Sequence, residues 1–297
     1  MDTIILGDVE ITRVIEQPPA GLPREFVFPD VPRQAWEANE SWLAPDHWNP
    51  EQDTMQAVMQ TWLVRSGGRT ILVDTGIGNG KERPYMPFFA HLDTGFLDNL
   101  ARAGVRPEDV DVVVTTHLHG DHVGWNTRLE GSAWVPTFPN AQYLLSRADF
   151  DYWNPLNEHR TRAGRGMQNV FEDSVAPVHE AGLITLWEGS HVLDGNLRID
   201  PAAGHTPGSS VLTLTSGTDR AVFVGDLLHS PLQFVEPDHC PSFDEDEAAA
   251  TATRRRVLGW AADHNALVLP AHLAGSGAAE VRRDGEKFEI KEWAAFA

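Results

Sequence analysis

The sequence predicts an α/β fold, with β-strands and α-helices interspersed along the chain. Three features carry that reading. Short β-branched and apolar runs recur, as at 71–73 and 110–115. Ser66-Gly67-Gly68-Arg69 punctuates two such runs as a hairpin turn, and an alanine-rich stretch ends near 262.

Residues 3–15 alternate enough for a first strand that turns at Gly7-Asp8 into a second. Between 17 and 53 the character changes, with Pro18, Pro19, Pro23, Pro29, Pro32, Pro45 and Pro50 beside Trp36, Trp42 and Trp48. Proline lacks the backbone donor, so long regular elements are not expected there beyond a short helix at 32–39. The tryptophans require packing, so the segment is a lid over a site, a subunit contact or a structural wrap.

A hairpin follows, with strands at 55–65 and 70–74, opening into the glycine-rich run D-T-G-I-G-N-G. A helix covers 94–103 and ends at Gly104, and Pro107 suits the first turn of another. The run at 110–115 reads as a buried strand. Further strands are expected at 141–145, 183–187, 197–200, 210–215 and 220–225. Ser242 and Glu245 stand at capping-box spacing before the helix that runs to about 262. A last short strand at 266–269 leads into Pro270-Ala271-His272. The 297 residues are read as one domain.

With 41% apolar residues the chain can bury a sizeable core. Its formal net charge is −20, from 23 basic and 43 acidic side chains. That surplus repels phosphate backbones and anionic membrane surfaces, which disfavours nucleic-acid processing and membrane attachment. The single cysteine, Cys240, cannot form an intramolecular disulfide. Asp238 and His239 beside it make a liganding role conceivable, but a structural thiol is the preferred reading. The amino end lacks a basic, apolar leader, and no stretch approaches the roughly 18 apolar residues of a membrane span. A cytoplasmic protein acting on a small molecule is expected.

The strongest signal is T-T-H-L-H-G-D-H-V-G-W at 115–125. His117, His119, Asp121 and His122 follow directly on a predicted buried strand. Alternation sends His117 and His119 to one side, and Gly120 lets Asp121 and His122 face a second point nearby. Imidazole and carboxylate are the usual non-thiolate ligands of zinc and its neighbours. His205, Asp226 and His272 stand at the ends of other predicted strands. Each alone reads equally as a loop or capping residue; together they supply ligands for two cations and a carboxylate to bridge them.

The ordered set D-T-G, H-x-H-x-D-H, G-H-T-P-G, G-D and a late histidine resembles the metallo-β-lactamase superfamily over roughly 54–275. The resemblance implies an αββα sandwich, two mixed β-sheets flanked by helices, with the site at one edge. It implies that His117, His119 and His205 bind one metal, that Asp121, His122 and His272 bind another, and that Asp226 bridges them. Two divalent ions are expected, zinc first, with manganese, cobalt or iron as alternatives. Asp74 matches a residue that supports the ligand loop, although a turn carboxylate bonding local backbone explains it as well.

These parallels imply a dinuclear-metal hydrolase in which a metal-bridging hydroxide attacks and Asp121 carries the proton to the leaving oxygen. No G-x-S-x-G nucleophile elbow is present. His229, three residues after Asp226, resembles the methyl parathion hydrolase branch, where the lactonase branch carries tyrosine. It is either a pocket group that stabilises developing negative charge or a structural histidine. The other seven histidines, His47, His91 and His264 among them, are given structural roles.

A lactone or ester is the expected substrate, with a phosphotriester as the alternative. An iron-dependent oxygenase or a non-catalytic sensor of the same fold is the reading from other classes. Little chain remains after 275 for the helical domain of glyoxalase-II-like thioesterases. Several related hydrolases pair through amino-terminal loops, so a homodimer through the Trp-rich segment is a further expectation.

Overall fold

The computed structural model describes residues 2–157 and 167–296. Two mixed sheets face each other. The first contains β1 (Thr3–Leu6), β2 (Val9–Pro23), β3 (Trp48–Asn49), β4 (Thr54–Ser66), β5 (Arg69–Val73) and β6 (Val112–Val114). A separate hairpin, β7 (Thr127–Glu130) and β8 (Ala133–Pro136), follows, and β9 (Gln142–Ser146) and β10 (Ile184–Trp187) complete the first sheet. Its order is β1-β2-β4-β5-β6-β9-β10, with β3 on β4.

The second sheet runs in sequence order from β11 (His191–Val192) through β12 (Leu197–Pro201), β13 (Ser210–Ser216), β14 (Asp219–Gly225), β15 (Leu267–Pro270), β16 (Ala279–Asp284) and β17 (Lys287–Trp293). Parallel pairs β5–β6, β6–β9 and β14–β15 lie among antiparallel ones. This is the αββα arrangement that the sequence implied.

Strand alternation builds the layers. Trp62, Val64, Ile71, Val73, Val112 and Val114 point inward against Leu212, Leu214, Phe223, Leu267 and Leu269 of the other sheet. Their neighbours Leu63, Leu72 and Val113 point outward, into a layer that includes Phe96, Leu100, Phe150 and Trp153 from helices. On the far side, Val222, Val224 and Val268 meet Val257, Leu258 and Ala261 of the helix Glu247–His264. Among the described residues, no helix is long and apolar enough to cross a membrane.

Three sequence expectations need correction. Strand β2 continues through Pro18, Pro19 and Pro23, where a loop was expected. Its other neighbour, β1, pairs only up to Thr12, so this stretch is an edge. The register against β4 shifts between Gln17 and Ala20, around two prolines that cannot donate to the ladder. The helix near 247 is capped by Asp246, which accepts from Ala249 N–H at 3.0 Å. Ser242 is used elsewhere: its backbone N–H and hydroxyl bond Val27 O and Phe26 O, each at 2.8 Å. The chain after 275 forms the β16–β17 hairpin and extends the second sheet.

The short helix expected at 32–39 is present as Arg33–Glu37. Its Trp36 is fully buried against Phe28 and Trp48, with ring centroids 5.7 and 6.1 Å away. This aromatic cluster makes the proline-rich segment part of the body. Truncating a buried tryptophan removes its transfer energy and leaves a cavity, so Trp36→Ala should cost about 3–5 kcal/mol in urea unfolding. Asp246→Ala, which removes only a helix cap, should cost about 1 kcal/mol. A Trp36→Ala loss under about 1 kcal/mol would mean that the segment is not part of the cooperative unit.

Candidate metal centre

The strand ends converge at one rim of the sandwich. Asp74 follows β5, His117 lies three residues past β6, and Asp226 follows β14 directly. His272 is two residues past β15, and His205 sits in the loop between β12 and β13. Gly225 makes one close approach possible. It has φ 51°, and a Cβ there would lie 2.5 Å from Thr116 Oγ1.

All seven predicted ligand residues come together. His117, His119, His205 and Asp226 form one group of potential metal ligands; Asp121, His122 and His272 form a second. Asp226 lies between them. Its Oδ2 is 3.7 Å from His117 Nε2 and 3.5 Å from His205 Nε2. Its Oδ1 is 3.2 Å from His122 Nε2 and 3.0 Å from His272 Nε2. Asp121 Oδ2 is 3.5 Å from His272 Nε2. Each oxygen of one carboxylate therefore faces a different set of imidazoles.

The hydrogen bonds behind the ring tips test whether these residues fit metal ions. His205 Nδ1 donates to Asp244 Oδ1 at 2.8 Å, and His122 Nδ1 to Asp74 Oδ2 at 2.8 Å. His272 Nδ1 is 3.1 Å from Val58 O. Thr116 gives its single hydroxyl hydrogen to Asp74 at 2.8 Å, so at 3.1 Å it must accept from His117 Nδ1. In the neutral rings, four Nε2 lone pairs are thereby turned inward. His117 Nε2 is buried without a hydrogen-bond partner, and Asp226 Oδ1 is aligned with none despite its two close nitrogens. His122 and His272 bring Nε2 atoms within 3.2 Å, and His205 Nε2 is 2.9 Å from His119 Nδ1. Lone pairs gathered around a buried carboxylate call for positive charge between them. The residues fit divalent cations.

Electrostatics says the same. Burial drives His117 and His119 well below the usual imidazole pKa. Burial also opposes charge on His122, but Asp226, Asp74 and Asp121 outweigh it and raise His122 well above normal. His272 is raised too, against burial, chiefly by Asp226. Without cations, protons must supply the charge that the buried carboxylates demand.

Asp74 works from behind the centre. It has φ 59°, and its carboxylate accepts from Thr116 N–H at 2.7 Å as well as from Thr116 Oγ1 and His122. It thus bonds backbone and a candidate ligand together. Sequence reasoning missed Asp244 and Asp149, the buried carboxylate beneath Leu118 and Thr206. Asp244 lies in the acidic run S-F-D-E-D-E, where nothing separates it from its neighbours.

Above the cluster opens a cleft of about 370 Å³. His119, Asp121, Asp226, His229 and His272 line it, together with Phe26, Phe88, Phe89, Phe243, Met55 and Met59. Leu22, Phe26 and Val27 bring part of the proline-rich segment to this wall. Arg83 also lines it and is held by Asp173 at 2.6 and 3.0 Å. His229 Nε2 is 3.1 Å from Asp226 Oδ2, and its Nδ1 is buried without a hydrogen-bond partner.

Among the described residues, those given structural roles lie outside both groups. His47 stacks on Trp293, and burial lowers its pKa to about 4. His91 faces Glu82 at 3.3 Å, and His264 Nδ1 faces Trp260 O at 2.8 Å. Cys240 Sγ is 3.3 Å from Thr251 Oγ1. His159 is outside the described residues.

Comparison with known proteins places this geometry in a family. The metallo-beta-lactamase superfamily model matches residues 60–272. An N-acyl homoserine lactonase from Bacillus cereus is 22% identical over 210 residues, covering 66% of this chain and 74% of that protein. The N-acyl homoserine lactonase AttM of Rhizobium radiobacter is 24% identical, covering 61% and 64%. Among solved structures, the dizinc quorum-quenching lactonase AidC superposes with a TM-score of 0.79 at 23% identity, over 99% of this chain and 98% of that one. The hydrolase AbOPH gives 0.79 at 24% identity, over 97% and 96%. These structures share the fold, and the model match spans every residue of the cluster. The chain belongs to the metallo-beta-lactamase superfamily.

Proposed function

We propose that this protein is a dinuclear-metal hydrolase that opens lactones, or cleaves esters, bearing an apolar acyl arm. One observation carries the reading: Asp226 directs one oxygen to each of two imidazole groups at the floor of an apolar cleft. The curated relatives named N-acyl homoserine lactonase support this substrate class and lend none to the phosphotriester alternative. The histidine-rich donor set suits zinc. The lone cysteine suits a cytoplasmic setting.

In this reading His117, His119 and His205 would hold one ion, Asp121, His122 and His272 the other, and Asp226 would serve both. Divalent ions held there would supply an activated water and Lewis-acid polarisation of the acyl oxygen. Asp121, half-buried at the cleft beside His272, takes the proton released by the nucleophile and returns it to the leaving alkoxide. Among the described residues His229 is the one cleft imidazole outside both ligand groups, and we assign it to the substrate oxygen where negative charge develops. The phenylalanines and methionines take the acyl arm and exclude water. Leu22, Phe26 and Val27 make the proline-rich segment a fixed cover over that arm.

A panel of acyl-homoserine lactones, aryl esters and phosphotriesters, assayed on zinc-loaded protein, tests the substrate class. Lactone or ester turnover is expected; turnover of triesters alone would overturn it. Each methylene added to the acyl arm should lower KM about fourfold until the cleft is full, at about 0.8 kcal/mol per buried methylene. A flat dependence on chain length would detach the apolar cleft from substrate binding. Stoichiometric oxygen consumption during turnover would point to the oxygenase class.

Asp121→Asn should lower kcat by about 10²–10⁴-fold, and His117→Ala should in addition lose bound metal. Near-normal turnover in either contradicts these roles. His229→Ala should lower turnover with metal content intact; loss of metal in that variant would make His229 a brace for Asp226.

A further inference from the structure

One buried carboxylate near the centre has no part in the chemistry above. Asp149 is 1% exposed, in the first turn of the helix Arg147–Trp153. Its Oδ2 accepts from Leu118 N–H and from the Thr206 hydroxyl, both at 2.9 Å. Its Oδ1 accepts from Gly208 N–H at 2.6 Å. Leu118 lies between His117 and His119, and Thr206 follows His205. One side chain thus holds the peptide between two candidate ligands and the residue beside the third.

The approach is tight. A Cβ on Gly208 would lie 2.4 Å from Asp149 N, so this loop can meet the helix only as glycine. Trp153 of the same helix packs its ring 5.4 Å from that of His119. Ser210 links the same two loops on the far side, through its N–H to Thr116 O at 2.9 Å. Asp149 and Ser210 therefore act as two fixings, which set the angle between the loops as well as their separation.

The other ligand group is held by different residues. His122 leans on Asp74, and His272 on Val58 O. Arg13 fixes the chain after His272 by donating to Leu273 O at 2.7 Å and Gly275 O at 2.6 Å. None of these bonds involves the helix that carries Asp149.

We propose that Asp149 is a positioning residue for the three-histidine group, fixing His117 and His119 relative to His205 and so setting the metal affinity of that half of the centre alone. This rests on the assignment of the two ligand groups to metal ions. Outer partners of metal ligands typically contribute 10–100-fold in affinity. Asp149 is one bond further out, so an effect near the lower end is expected. It comes from geometry, since the carboxylate meets neutral donors and touches neither ion nor substrate.

The test uses full-length protein loaded with two equivalents of cobalt and titrated with a chelator, the ligand-field spectrum reporting each ion. In Asp149→Asn one equivalent should leave about tenfold more readily, and the other as in the wild type. Thr206→Val keeps shape, removes one of the three bonds and keeps the test open should Asp149→Asn not fold; a smaller shift of the same sign is expected. If folded variants release both ions as the wild type does, with only the melting temperature lowered, Asp149 is merely structural and the proposal fails. Equal weakening of both ions also overturns it. A wild-type chain that takes up no cobalt removes the metal assignment itself, and this proposal with it.

Discussion

A carboxylate buried at the junction of two β-sheets governs the rest of this structure. Asp226 is 5% exposed, and Asp74 and Asp121 add negative charge nearby. Burying an isolated carboxylate costs several kcal/mol unless opposite charge accompanies it. Among the described residues no lysine or arginine pairs with Asp226; the groups around it are imidazoles. Imidazoles offer lone pairs to a cation or carry protons themselves, so the site must hold positive charge in one form or the other.

The sandwich delivers this arrangement through strand ends. Alternation along β5, β6, β14 and β15 buries every second side chain between the sheets. The same four strands end at one rim, where the chain leaves them into loops. The ligands from 117 to 122 come from the first sheet, and His205, Asp226 and His272 from the second. Binding across this seam would couple ions to sheet packing, so metal and fold should stabilise one another. The proline-rich segment lines part of the cleft wall and packs through an aromatic cluster of its own, tied by Ser242 to the chain that leads into the long helix.

Much of this was legible in the sequence for a simple reason: ligand chemistry admits few residue types. H-x-H-x-D-H after a β-branched run has little use outside metal binding, and its partners again follow apolar runs. The runs at 71–73 and 110–115 were readable as buried strands from their apolar, β-branched content, whereas the two-sheet layering came from the family resemblance. What escaped notice were partners that any polar residue could supply. Asp149 and Asp244 are ordinary acids in helical or acidic surroundings, and only the fold puts them behind histidines far away in sequence. Strand β2 ran past its prolines because an edge does not need every donor, a tertiary fact. The β16–β17 hairpin is different: A-E-V-R-R-D and K-F-E-I-K-E-W about Gly285 carry a hairpin signal in the sequence itself.

The most direct test is X-ray absorption at the metal edge, combined with elemental analysis of protein loaded in the presence of excess zinc. The account predicts two ions per chain, nitrogen and oxygen first-shell scatterers, and a metal–metal vector of about 3.5–4 Å. One ion per chain, or two ions without that vector, would contradict a shared Asp226 and the activity built upon it.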